Sequence, residues 1–185
     1  MKKQPKIYII DVTNRDGVQT SRICLSKLEK TMINVFLNEM GVFQTEFGFP
    51  LTNHETNYLN ANLELASRKI LSPIRLGGWI RATVGDVNTA FGLVPGLKHL
   101  NVSISTSDQM IKHKFKGRLD HKTVINEMSG AVRRACKLGA QSVGVNAEDA
   151  SRTKMEYLIE FAAAAKEAGC SRVRYCDTLG YDSPF

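Results

Sequence analysis

One unit recurs six times along this chain of 185 residues: a short β-rich run, a polar loop, then an amphipathic helical stretch. The runs are Lys6–Val12, Val42–Gly48, Ile74–Thr83, His99–Ser105, Ser142–Asn146 and Arg172–Cys176. Several are near-continuously apolar, as strands buried on both faces are. Strands that alternate with helices through short connections form a parallel sheet. The helices announce their starts. Ser26-Lys27-Leu28-Glu29, Thr52-Asn53-His54-Glu55 and Thr153-Lys154-Met155-Glu156 each fit a capping box, in which a hydroxyl and a carboxylate satisfy orphan backbone N–H groups reciprocally. Apolar stripes at helical spacing follow: Leu28, Met32, Val35 and Phe36, then Leu59, Leu63, Ala66 and Ile70, and near the end Met155, Leu158, Ile159 and Ala162. Such stripes are expected to face the core. Gly41, Gly139 and Gly169 stand where helices should stop.

Two closures of a parallel βα sheet compete. A doubly wound open sheet normally announces a phosphate loop after a strand, and neither G-x-G-x-x-G nor a Walker sequence is present. An eight-stranded barrel usually takes about 250 residues. Length alone therefore favours the open sheet, and only the motifs can overturn that.

Composition narrows the function classes. Apolar residues make up 43% and charged residues 23%, which excludes disordered and low-complexity chains. No segment approaches the roughly 20 apolar residues of a membrane span. The basic start, Met1 to Lys6, is followed by an apolar stretch too short for a secretory signal, so a cytoplasmic location and no membrane partner are expected. Cys24, Cys136, Cys170 and Cys176 have neither zinc-site nor disulfide-framework spacing and are expected to be buried free thiols. The net charge of +7 favours anionic partners. Its densest run, Lys112 to Arg118, accompanies no nucleic-acid recognition motif, so nucleic acid is not expected as a partner.

In a parallel βα sheet the chemistry collects where strands end. After the first strand comes Asp11-Val12-Thr13-Asn14-Arg15-Asp16-Gly17-Val18-Gln19. Asp16 offers a hard oxygen ligand, and Arg15 a planar fork suited to a carboxylate or a developing oxyanion, although an Asp–Arg pair can also simply buttress a loop. Glu46 and the Gly48-Phe49-Pro50 turn recur after the second strand, Arg81 after the third, and Ser103, Ser105, Ser107 and Asp108 after the fourth. Asn146, Glu148 and Asp149 follow the fifth, and Asp177 and Thr178 the sixth. Any one of them can be a helix cap. All six sets together are harder to dismiss.

The D-x-T-x-R-D-G-x-Q pattern at Asp11–Gln19, the G-x-x-x-x-E-x-G-x-P pattern at Gly41–Pro50, Glu148-Asp149-Ala150-Ser151-Arg152 and Cys176-Asp177-Thr178-Leu179-Gly180 occur in one order. With them the chain resembles the homocitrate synthase and isopropylmalate synthase family over nearly its whole length. Within that family it looks nearest to the homocitrate synthases that serve nitrogenase cofactor assembly, with isopropylmalate or citramalate synthesis as the alternatives. The resemblance implies a (β/α)8 TIM barrel of which residues 1–185 are the first six βα units, the N-terminal portion of the condensing domain. It also implies a Claisen condensation of acetyl-CoA with a 2-oxo acid, 2-oxoglutarate for homocitrate. Carried over, Asp16 would bind a divalent cation (Mg, Mn or Zn), Arg15 would stabilise the oxyanion, and Glu148 would orient or polarise the reacting groups. Gln19 and Thr178 would position substrate, and Lys112 or Arg81 would meet the distal carboxylate.

The family completes its metal site with an H-x-H pair at strand seven. The histidines here, His54, His99, His113 and His121, have no such spacing, and the sequence ends at Asp182-Ser183-Pro184-Phe185. The family's general base also lies beyond this segment. An incomplete barrel exposes two strand edges. The expectation is a split synthase whose second subunit supplies the rest of the barrel and the histidines, the chain alone being a poor catalyst. A non-catalytic partner subunit and a carbon–carbon lyase of the same barrel type are the other readings.

Overall fold

A computed structural model describes residues 5–183; Met1 to Gln4 and the final Pro184-Phe185 lie outside the described residues. Six parallel strands, β1 (Ile10–Asp11), β2 (Gln44–Gly48), β3 (Arg75–Arg81), β4 (His99–Ser105), β5 (Ser142–Glu148) and β6 (Arg172–Tyr175), pair in the order β1-β2-β3-β4-β5-β6. That order decides between the two closures. A doubly wound sheet reverses its strand order at a switch point, whereas sequential parallel strands with helices between them form an arc of a barrel. The open sheet suggested by length is therefore replaced by six βα units of a TIM-type half-barrel.

Helices α1 (Lys27–Glu39), α2 (Asn53–Ser67), α3 (Val84–Leu93), α5 (His121–Lys137) and α6 (Met155–Glu167) connect the strands, and a short α4 (Asp108–His113) follows β4. Side-chain caps fix several starts: Ser26 with Glu29 forms the expected capping box, and Thr83, Ser107 and Asp120 accept the N–H groups of Asp86, Met110 and Thr123. The other two expected boxes do not form. Thr52 makes no side-chain cap, because Glu55 turns instead to the Phe49 N–H (2.8 Å) and to Lys30. The hydroxyl of Thr153 bonds the Asp149 carbonyl (3.0 Å), and α6 starts one residue later without a side-chain cap. Gly41, Gly139 and Gly169 do terminate helices with positive φ, a region that costs a residue with a Cβ.

The core lies between the outer face of β2 to β5 and the helices. Leu100, Val102, Val145, Ile80 and Phe47 meet Val124, Met128, Val132 and Phe161, all fully buried. Burying each such side chain stabilises by about 1.5–3 kcal/mol relative to exposure. Two expected stripes depart from this pattern. In α1 it is Lys30 and Asn34 that are buried, while Leu28, Met32 and Phe36 are 70%, 42% and 54% exposed. In α6, Met155 and Ile159 face outward and Tyr157, Phe161 and Ala165 pack inward. Ile70 lies beyond the end of α2 and is exposed. β1 also contracts to two residues, leaving Ile7, Tyr8 and Ile9 exposed. Cys24 and Cys136 are exposed rather than buried, and all four thiols are free. No described helix is long and apolar enough to cross a membrane.

Candidate active site

The inner face of the sheet is polar, and the sequence builds it by alternation. In β4, Asn101, Ser103 and Ser105 alternate with the core residues Leu100, Val102 and Ile104, and in β6 Arg172 and Arg174 alternate with Val173 and Tyr175. A period of two puts each set on one face of its strand.

At the centre of that face sits Glu46, its side chain completely buried. One carboxylate oxygen accepts from Arg15 Nε (3.1 Å), and the other from Arg174 (2.5 Å) and from Asn101 (2.7 Å). Arg174 also donates to Asn146 (2.7 Å). A buried carboxylate flanked by guanidinium groups is held by charge-assisted bonds, and it fixes those groups in turn. Arg15 is also stacked on Trp79, with its guanidinium carbon 4.4 Å from the ring centre, and donates to Asp16 (2.9 Å).

The loop that carries Arg15 is tied to the helices by amides. Asn14 donates to the Lys30 carbonyl and to Asn34 Oδ1 (both 2.8 Å), and Asn34 donates to Tyr58 and Asn62 (both 3.0 Å). This explains why α1 turns polar residues inward. Gln19 shares a cleft of about 200 Å³ with Arg15, Glu55 and Trp79.

A second cluster lies at the ends of β4 and β5. Glu148 accepts from the hydroxyls of Ser103 (2.7 Å) and Ser105 (2.8 Å) and from Lys114 Nζ (2.8 Å). Burial pushes its carboxyl up, but the hydrogen bonds from Lys114, Ser103 and Ser105 outweigh burial and leave it below the usual range. Glu148 and Lys114 border a cleft of about 700 Å³, walled by Phe49, Leu51, Trp79, Phe115 and Leu119 and also lined by Arg81. An apolar cleft with a few convergent polar groups is the expected form of a small-molecule site.

The residues singled out from sequence divide accordingly. Arg15, Asp16 and Gln19 share one loop, and Arg81 and Glu148 line the larger cleft. Arg81 is held by two bonds to Asp86 (2.7 and 2.8 Å). Lys112 sits exposed on α4, whereas Lys114, two residues on, reaches Glu148. The Thr178 hydroxyl accepts the Asp149 N–H (2.9 Å), where Asp149 adopts a left-handed backbone (φ 60°) and is paired with Arg152. Sequence reasoning missed Arg174, Asn101, Trp79 and Lys114. The alternation in β4 and β6 was the signal for Asn101 and Arg174; Lys114 had none beyond its basic run.

For the divalent cation the donors here do not suffice. Among the described residues no three His, Cys, Asp or Glu side chains group as a metal site, and Asp16 has a side chain 59% exposed with Arg15 at one oxygen. One such carboxylate is not a metal site by itself.

Comparison with known proteins adds three findings. The model of the HMGL-like family matches residues 6–185. The chain is 64% identical over 180 residues to a citrate (Re)-synthase of Dehalococcoides mccartyi, covering 97% of this chain and 43% of that protein. It is 32% identical to a homocitrate synthase subunit alpha of Clostridium pasteurianum, covering 96% of this chain and 63% of the subunit. Among solved structures it resembles an HMG-CoA lyase of Bacillus subtilis in fold, with a TM-score of 0.72 at 18% identity, over 97% of this chain and 61% of the lyase. The chain thus spans less than half of the citrate (Re)-synthase and under two thirds of the other two.

Proposed function

The chain belongs to the HMGL-like family, and from that premise we propose that it is the N-terminal part of the catalytic barrel of a synthase that condenses acetyl-CoA with a 2-oxo acid. The observation that carries this reading is a pair of clefts at the strand ends that share Phe49 and Trp79, Arg15 lining the smaller and Lys114 and Glu148 the larger, apolar one. In the reaction the acetyl methyl group loses a proton, and the resulting carbanion adds to the keto carbon. The keto oxygen becomes an oxyanion and then an alcohol, and water cleaves the thioester to a carboxylate and the CoA thiol. Arg15, fixed by Glu46 and Trp79, presents its remaining N–H groups to the oxyanion. Lys114 balances Glu148 and offers positive charge to a substrate carboxylate. Glu148, kept ionised, orients the reacting groups, while Gln19 after β1 and Thr178 after β6 position substrate.

The oxo acid follows from the product. Citrate less an acetyl unit is oxaloacetate, and similarity to the citrate (Re)-synthase is twice that to the homocitrate synthase subunit, 64% against 32% identity. Oxaloacetate is therefore the proposed acceptor. The likeness to a named alpha subunit supports the second reading, homocitrate formation from 2-oxoglutarate in a heteromer.

The test is CoA thiol release by the native assembly recovered through a tag on this chain, with acetyl-CoA and either oxo acid. Release with oxaloacetate at least tenfold faster than with 2-oxoglutarate is expected; the reverse ratio establishes the homocitrate reading, and release with neither overturns both. Arg15→Met should cost about 100-fold or more in kcat, the scale of losing an oxyanion donor.

A further inference from the structure

The inner face of the sheet carries more positive than negative charge, and the imbalance is greatest at its open edge. Both oxygens of Glu46 are already occupied, by Arg15 on one side and by Arg174 and Asn101 on the other. Arg172, one pleat below Arg174 on β6, receives no carboxylate. Its Nη2 donates to the neutral Asn101 Oδ1 (2.5 Å), its buried Nε has no partner, and no ion pair among the described residues includes it. Burial and the nearby Arg174 and Arg75 lower its pKa, and Glu46, which makes no bond to it, offsets them only in part. The cations Arg75, Lys98 and Arg172 also lie near His99, so this end of the sheet is rich in positive charge, with Glu64 in the same cleft as Arg75 and Lys98.

A half-buried guanidinium that no carboxylate bonds is destabilising, and an added anion would relieve it. Its other sides are closed. Asn101 lies on one, and Gly144 presses so close that a Cβ there would stand 2.9 Å from Arg172 Nη2 and 3.0 Å from Nε. The open side is the edge of β6, where no strand among the described residues pairs. A parallel strand added at that edge places alternate side chains on the inner face, within reach of Arg172.

We propose that the strand closing the barrel beside β6 carries an inward-facing aspartate or glutamate that pairs with Arg172. This rests on the reading of the chain as six units of a condensing barrel, and it adds what the seventh strand must present. On the outer face the same edge leaves Val173 and Tyr175 of β6 exposed beside Met155 and Ile159, a groove of about 210 Å³ ready for the helix that precedes such a strand.

The experiment compares Arg172→Met and Arg172→Lys in the isolated chain and in the assembly recovered through it. In the isolated chain, methionine removes a half-buried charge that no carboxylate bonds and should raise the unfolding midpoint by a few degrees. In the assembly the same change strands the partner carboxylate and should weaken association about a hundredfold, whereas lysine should retain it within about tenfold. Equal association of the methionine variant and the wild type overturns the proposal, and this comparison decides even if the isolated chain unfolds without a sharp transition. Stabilisation of the chain by inorganic phosphate that disappears in Arg172→Met also overturns it, in favour of a small anion, as does an assembly whose mass is a multiple of this chain alone. An assembly that responds to Arg172 as expected but releases no CoA thiol refutes the functional reading and leaves the pairing intact.

Discussion

The middle of the half-barrel and its two edges are built from the same βα unit and end up physically different. β4 and β5 are flanked by strands on both sides and covered by α5; apart from His99 and Glu148 at their ends, their residues are buried. β1 shrinks to two residues and β6 is only half covered. The helices follow suit: α5 buries Val124, Met128 and Val132, whereas α1 turns Leu28, Met32 and Phe36 to solvent. A βα unit thus satisfies itself only between two neighbours, and at an edge it keeps its apolar outer surface and its inner charges unspent. In a closed barrel β1 would also have a neighbour on its second side, which here is open.

The largest effect should come from the middle. Leu100→Ala in β4 removes a completely buried side chain and should cost about 2–5 kcal/mol in urea unfolding of the isolated chain. A loss under 1 kcal/mol would show that the centre is no better packed than the edges.

A smaller effect should appear in the pH dependence at the basic end. Burial, with Arg75, Arg172 and Lys98 nearby, pushes His99 down to about 4, against 6.5 for the free side chain. Between those values the unfolded chain binds the proton and the folded chain does not, so stability falls as pH drops from 6.5 to 4 and this contribution is flat above. His99→Gln, which keeps a hydrogen-bonding group facing Ser142, should flatten that window in thermal melts at stepped pH; an unchanged slope assigns the acid sensitivity elsewhere.

The smallest effect should come from the edge. Phe36→Ser on the exposed face of α1 should change the isolated chain's stability by less than about 1 kcal/mol while weakening association in the assembly. A large loss in the isolated chain would mean that the edge is already partnered by this chain itself.

Much of the local structure was legible in the sequence. The limits of β4 are those expected, the Ser26 capping box forms, and the glycine stops fall where the helices end. These features are local, set by strand periodicity and by backbone groups within a turn. What sequence did not reveal is held by distant partners. The α1 stripe is inverted because Asn14, Asn34 and Asn62 find one another across 20 and 28 residues, and Arg174 meets Glu46 across 128. The pattern in α1 records an apolar face without saying whether this chain or another covers it. The choice between Lys112 and Lys114 turns on where a short helix ends, which the basic run does not mark.

The amide relay from Asn14 has a consequence for how the molecule opens. The loop bearing Arg15 is anchored to α1 and α2 through side chains, and its own N–H groups return to the Val12 carbonyl within the turn. The two-residue β1 ladder contributes little to that anchorage. Fraying of the first strand, the cheapest local unfolding event at this edge, exposes the amide protons of residues 7–11 to exchange while Arg15 stays in register.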